Sequence, residues 1–367
     1  MSNPIKQHYI PRSYLKNFAV EGRKRNHFVD VYKMDNDMLL EQISTKDICF
    51  EKNIYTIPAE SDEVKYALEK HYAENVDSEF PKIYKLLVDE KVLTVSQEQK
   101  IQILYVCLSL YFRTPRILNL QKGMNKQIFD RAAHTANEHG LIKMNLFGEK
   151  MEFHIDEIEE VKKQYDERSR TAFLVNHLEQ WGNFVKYKYD CTINVIKIED
   201  SNAPIITCDN PVSIRHFETN KFQGLYDPKA VITLHLDRSH YLEIHHNVYA
   251  DGQTRINRLT QDRDYVFTTN GVTQQNAENL LVAYKGDIDK HFDIQNHYEN
   301  PENGEEFLKK AKYMAEQALV LFDVLKKKGF VSKEFIGKLK ELLEHPYCKD
   351  DIQMLKYKKV LSKMGKW

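Results

Sequence analysis

The chain is predicted to fold as an α+β protein: a mostly antiparallel sheet packed with a long helical block, followed by a C-terminal helical appendage. Three observations predict it. Apolar residues recur at helical spacing over residues 62 to 188, strand-like alternation fills residues 190 to 285, and the connections between those strands are too short for helical crossovers. A break at Tyr298 to Gly304, reading Tyr-Glu-Asn-Pro-Glu-Asn-Gly, divides a core domain of residues 1–297 from a helical segment of residues 305–367.

Taken in order, the chain opens on Gln7-His8-Tyr9-Ile10-Pro11, where Pro11 fixes φ for a first helical turn. Tyr14, Leu15 and Phe18 then share one helical face. His8 lies just outside the positive end of that helix, so it should lean towards the neutral form that serves as base or ligand. Residues 27–57 read as a small β opening, with alternation at Phe28 to Tyr32, a turn near Asn36 and a strand at Ile54 to Ile57. In the helical block, Ser96 and Gln99 form a capping box for the helix that carries Ile101, Leu104, Leu108 and Phe112. The later strands are expected at Thr192 to Ile198, Ile205 to Thr207, Val231 to Leu236, His240 to His246 and Tyr265 to Thr268, with Arg238-Ser239 as a tight turn.

Composition narrows the class. With 42% hydrophobic residues a sizeable core can form, and 53 Lys plus Arg against 54 Asp plus Glu leave no global field to draw in nucleic acid. Any such contact must be local. Five scattered cysteines without paired spacing point to a reducing cytoplasm and away from zinc knuckles. No apolar run reaches the ~20 residues of a membrane span, so no membrane partner is expected. Phosphate-loop, dinucleotide and nucleophile-elbow motifs are missing.

Three stretches could carry chemistry. Thr207-Cys208-Asp209-Asn210-Pro211 sets a carboxylate and a carboxamide at a strand end, suited to a metal, a water or a polar substrate, or equally to an Asx-type turn. Arg113-Thr114-Pro115-Arg116 ends an apolar helix with two arginines. A buried Arg113 needs a partner, either a structural carboxylate, Asp209 included, or a ligand phosphate. His235, Asp237, His240 and His246 share one face of a hairpin about Arg238-Ser239, a weak metal candidate that lacks recognised ligand spacing.

Gln7 to Pro11 with Tyr14-Leu15 and Phe18, Asn53-Ile54-Tyr55, Arg113-Thr114-Pro115 and Thr207 to Pro211 together resemble the bacterial family known as domain of unknown function 4238. Ile10, Lys16 and Cys208 stand where that family usually has valine, arginine and serine. The resemblance runs from about residue 5 to about residue 290. It implies a cytoplasmic antiphage defence effector, since members occur among genes that protect bacteria from phage. The resemblance marks His8, Tyr9, Arg113, Asp209 and Asn210 as functional candidates.

The expected reaction is phosphodiester cleavage of RNA or DNA. His8 would act as general base or acid, Asp209 would orient it or hold Mg or Mn, Arg113 would steady the phosphate, and Asn210 would belong to the same catalytic set. Tyr9, Arg12 and Arg116 would bind substrate. The alternative is a non-catalytic sensor that recognises a phage component and recruits a partner or a second copy through its C-terminal helices.

Overall fold

The computed structural model describes residues 5–146, 148–245, 254–299, 304–327 and 333–365. These form two compact units, residues 1–288 and 289–367. The first is α+β.

It opens with strand β1 (Lys6–His8), helix α1 (Arg12–Leu15) continued by a 3-10 turn to Phe18, and strands β2 (Val20–Glu21), β3 (His27–Lys33), β4 (Met38–Ser44) and β5 (Phe50–Lys52). As expected, Pro11 starts the helix at φ −60° and Tyr14, Leu15 and Phe18 are all buried. The strand expected at Ile54 to Ile57 does not form. Gln7, fully buried, accepts from the Tyr55 amide through Oε1 (2.7 Å) and reaches Thr56 Oγ1 with Nε2, holding that segment as a turn instead.

The helical block comprises α2 (Asp62–Lys65), α3 (Ala67–Tyr72), α4 (Phe80–Val88), α5 (Gln97–Phe112), α6 (Pro115–Ala133) and α7 (Ile158–Tyr187). The Ser96 capping box closes reciprocally, with Ser96 Oγ accepting from the Gln99 amide and Gln99 Oε1 from the Ser96 amide. One feature departs from an all-helical block: β6 (Leu141–Leu146) and β7 (Glu149–His154) form a hairpin between α6 and α7. Gly148 at φ +92° makes its turn, and Ile142, Leu146 and Phe153 pack on Phe129 and Tyr165 of the flanking helices.

The remaining strands are β8 (Thr192–Ile198), β9 (Thr207–Cys208), β10 (Val212–His216), β11 (Ala230–His235), β12 (His240–His245), β13 (Ile256–Gln261) and β14 (Leu280–Ala283). They build two sheets, ordered β10-β11-β12-β8-β13 and β2-β3-β14-β9, with β4 on β3. The β11–β12 hairpin forms where expected, but its register, pairing His235 with Tyr241 and Leu234 with Leu242, centres the turn on Arg238 and sets His235 on the face of Tyr241 and Glu243, away from His240. The described sheets are mostly antiparallel as expected, β8–β13 being a parallel pair within them. One expectation is corrected: Tyr265 to Thr268 belongs not to a strand but to helix α8 (Arg263–Asn276). The Asp262 carboxylate caps that helix by accepting from the Asp264 amide, and Val266, Asn270 and Thr273 are buried at helical spacing. Packing therefore outweighed the β propensity of Val-Phe-Thr-Thr. A single core joins Leu15 and Phe18 to Leu104, Leu108, Trp181, Ile193 and Ile232.

Helix α9 (Asp287–Glu299) spans the boundary between the units. In the second, α10 (Gly304–Lys327), α11 (Lys333–Glu344) and α12 (Ile352–Gly365) share a core of their own that includes Ala311, Ala315, Phe322, Leu343, Met354 and Leu361.

Candidate functional site

Strand β1 pairs antiparallel with β5, setting His8 opposite Phe50. The opening segment is then fixed twice. The Tyr9 amide donates to the Cys49 carbonyl (2.9 Å), and the Tyr14 hydroxyl meets Thr207 Oγ1 at 2.6 Å in the core. The opening motif and the Thr-Cys-Asp-Asn-Pro motif therefore do meet. They do so through Tyr14 and Thr207, not through His8 and Asp209.

Arg113 follows the last residue of α5 and is almost fully buried. Its Nη1 donates to Asp77 Oδ1 at 2.6 Å and its Nη2 to the His8 carbonyl at 2.7 Å. The guanidinium carbon lies 4.3 Å from the Tyr72 ring centroid, and the Tyr55 hydroxyl donates to the Arg113 carbonyl. Asp77 is thus the carboxylate that the sequence argument left open, and Asp209 is not. His8 also hydrogen-bonds the Lys46 backbone. Burial depresses its pKa, and the Arg12 and Arg113 charges act in the same direction. The neutral state expected of His8 therefore arises mainly from desolvation. Helix α1 has only four residues.

Asp209 sits where β9 ends. Its Oδ1 accepts from the Glu278 amide (2.8 Å), and its Oδ2 accepts from the Asn279 and Leu280 amides (2.9 and 3.2 Å). Asn210 donates to the Asn276 carbonyl, while Asn276 Nδ2 donates back to the carbonyls of Asn210 and Val212. Asp-Asn-Pro is therefore a latch between the end of α8 and the start of β14. Burial raises the Asp209 pKa to about 6 against the three amide bonds that lower it, with help from Glu278.

Beside the latch opens a cleft of about 420 Å³, lined by Tyr9, Glu51, Arg116, Asn119, Gln127, Asp209 and Glu278 among others. Arg116 faces Glu278 at 3.5 Å. A second cleft of about 460 Å³ shares Glu51, Pro115 and Asn119 with it and adds Lys122, Lys163, Asp166 and Arg170. The expected site residues therefore divide. Tyr9, Arg116 and Asp209 share the first cleft. His8 lies among the charges of Arg12, Arg113 and Asp77, and Asn210 is turned into the latch.

A family model described as a protein of unknown function (DUF4238) matches residues 6–287. The chain belongs to that family. Neither a curated protein nor a solved structure matches it. The DUF4238 match takes in the opening motif, Arg113 and the latch, and it ends one residue short of the limit of the first unit.

For this DUF4238 chain the metal expectation meets a geometric obstacle, because both Asp209 oxygens already accept backbone N–H groups. Among the described residues no group of three or more His, Cys, Asp or Glu is placed to hold an ion. The residues present do not form a Mg or Mn site at Asp209. The histidine hairpin fares alike: His235 Nδ1 bonds the Ile206 carbonyl, His240 pairs with Asp237, and His245 pairs with Glu243 on the same strand. His246 lies outside the described residues.

Sequence reasoning missed Glu51, Asn119 and Glu278 in the cleft, and Asp77 and Glu69 around Arg113. Each is an ordinary polar residue in a chain with many, and only the fold singles it out. Glu69 is half-buried beside this charge cluster. Burial raises its pKa to about 7, with Arg113 lowering it and Asp77 raising it. A carboxyl raised in the folded state binds more protons there than in the unfolded chain, so it stabilises fully below the unfolded pKa and loses that contribution as pH rises towards 7. Glu69→Gln should therefore gain stability relative to the natural chain between about pH 5 and pH 8, by about 1 to 2 kcal/mol after allowing for partial exposure. Urea titrations of both proteins across that range measure it, and a difference that stays constant with pH contradicts it.

Proposed function

We propose that this protein is an antiphage defence factor that works by recognition, binding a phage component in the cleft beside Asp209 and passing the signal on through its C-terminal unit. The defence role rests on the family resemblance. The recognition role rests on one observation: Arg113 and the Asp209 carboxylate, two of the groups expected to catalyse, are spent on internal bonds, whereas the cleft beside them presents Glu51 and Glu278 around a single guanidinium that already faces Glu278. Glu51 and Glu278, with the Asp209 carboxylate behind them, repel a phosphodiester and suit a cationic or hydrogen-bond-donating group. The buried, unbridged thiols support a cytoplasmic setting.

A second reading is favoured by the same cleft. A carboxyl with a pKa near 6 is poised for proton transfer at neutral pH, so Asp209 beside Arg116 could serve as general acid or base in nucleic-acid cleavage. Incubating the purified chain with RNA and DNA, with and without Mg²⁺ or Mn²⁺, distinguishes the two. The recognition reading expects no cleavage, together with loss of phage protection in a Glu51→Gln/Glu278→Gln variant of unchanged melting temperature. Cleavage lost in Asp209→Asn establishes the second reading, and intact protection in the double variant removes the cleft from the mechanism.

A further inference from the structure

Helix α12 has two sharply different faces. Met354, Tyr357, Leu361 and Met364 turn to the core of the second unit. The opposite face, an arc of about 140° at 100° per residue, carries Ile352, Leu355 and Val360 together with Lys356, Lys359 and Lys363. The three aliphatic side chains are 72%, 49% and 45% exposed. None of the three lysines has a hydrogen-bond or ion-pair partner among the described residues; only Lys358, to one side, reaches a carboxylate, that of Glu344. The helix itself contains no acidic residue.

We infer that this face of α12 is a docking surface for an anionic phospholipid bilayer. It combines the two contributions that hold a helix at a bilayer interface, apolar area to bury and cationic charge to attract the headgroups, and lysine stems are long enough to keep their ammonium groups at headgroup level while the aliphatics enter. Two other occupants fit less well. A symmetric contact with a second copy would bring lysines against lysines. Nucleic acid would gain little from three exposed aliphatics, and residues 289–367 contain no arginine, the side chain best shaped for bidentate phosphate contacts. Such peripheral binding departs from the expectation of no membrane partner, yet it needs no span. No helix among the described residues is long and apolar enough to cross a bilayer.

The test is sedimentation of the full-length protein with vesicles of phosphatidylglycerol and phosphatidylcholine in equal parts, against vesicles of phosphatidylcholine alone. Binding is expected only to the anionic vesicles and should weaken with added salt. Lys356→Gln/Lys359→Gln/Lys363→Gln should reduce partitioning about a hundredfold, and Ile352→Ser/Leu355→Ser/Val360→Ser should reduce it while leaving the melting temperature unchanged. No binding to anionic vesicles, or equal binding by either variant, overturns the inference. So does binding to RNA or DNA that survives the serine substitutions while vesicle binding is absent. The cleft variants Glu51→Gln/Glu278→Gln should bind vesicles normally, which separates this surface from the recognition site.

Discussion

Arg113→Ala is expected to destabilise the first unit by about 2 to 4 kcal/mol, mainly through the space left by a large buried side chain and the loss of its charge-assisted bonds, since Asp77 keeps some access to solvent. The substitution leaves the His8 carbonyl without its donor and Asp77 without its counter-ion, and it empties the space beside Tyr72. Arg113→Lys should recover only part of the loss, because a single ammonium cannot bridge Asp77 and the His8 carbonyl while lying flat against a ring. Denaturant midpoints measure the effect. A loss below about 1 kcal/mol accompanied by abolished phage protection would move Arg113 from structure to chemistry.

Asp209→Ala should cost about 2 to 4 kcal/mol, since it strips the acceptor from three backbone amides at once and charged acceptors are the stronger kind. The effect should be local before it is global. Hydrogen exchange of the Glu278, Asn279 and Leu280 amides should accelerate in Asp209→Ala and less so in Asp209→Asn, which keeps one carbonyl oxygen. If those amides exchange as slowly as in the natural chain, the latch is not what holds the start of β14.

The sequence made some of this architecture legible, for physical reasons. Period and capping gave α5, because Ser96 and Gln99 signal locally what the fold uses locally. Alternation about Arg238-Ser239 gave the β11–β12 hairpin, though not its register. Residues 265–268 were misleading because β-branched and aromatic side chains suit a strand, whereas the Asp262 cap and the burial of Val266 and Asn270 decide for a helix. At the site, the marked motifs were visible but their atomic pairings were not. Tyr14 joins Thr207 and Arg113 joins Asp77, and nothing in the local spelling of those residues chooses such partners over His8 and Asp209. Glu51 and Glu278 become cleft residues only when β5 and the end of α8 are brought together.

Strand β14 lies inside its sheet, between β3 and β9, and Asp30 of β3 accepts from the Gly286 amide 256 residues further on. During synthesis, β3 therefore waits with an unpaired edge until almost the whole first unit has been made. Such long-range closure makes folding slow, and the waiting edge is open to strands of other chains. A chain truncated before Leu280 would lack an inner strand of that sheet and be prone to aggregate rather than to fold in part.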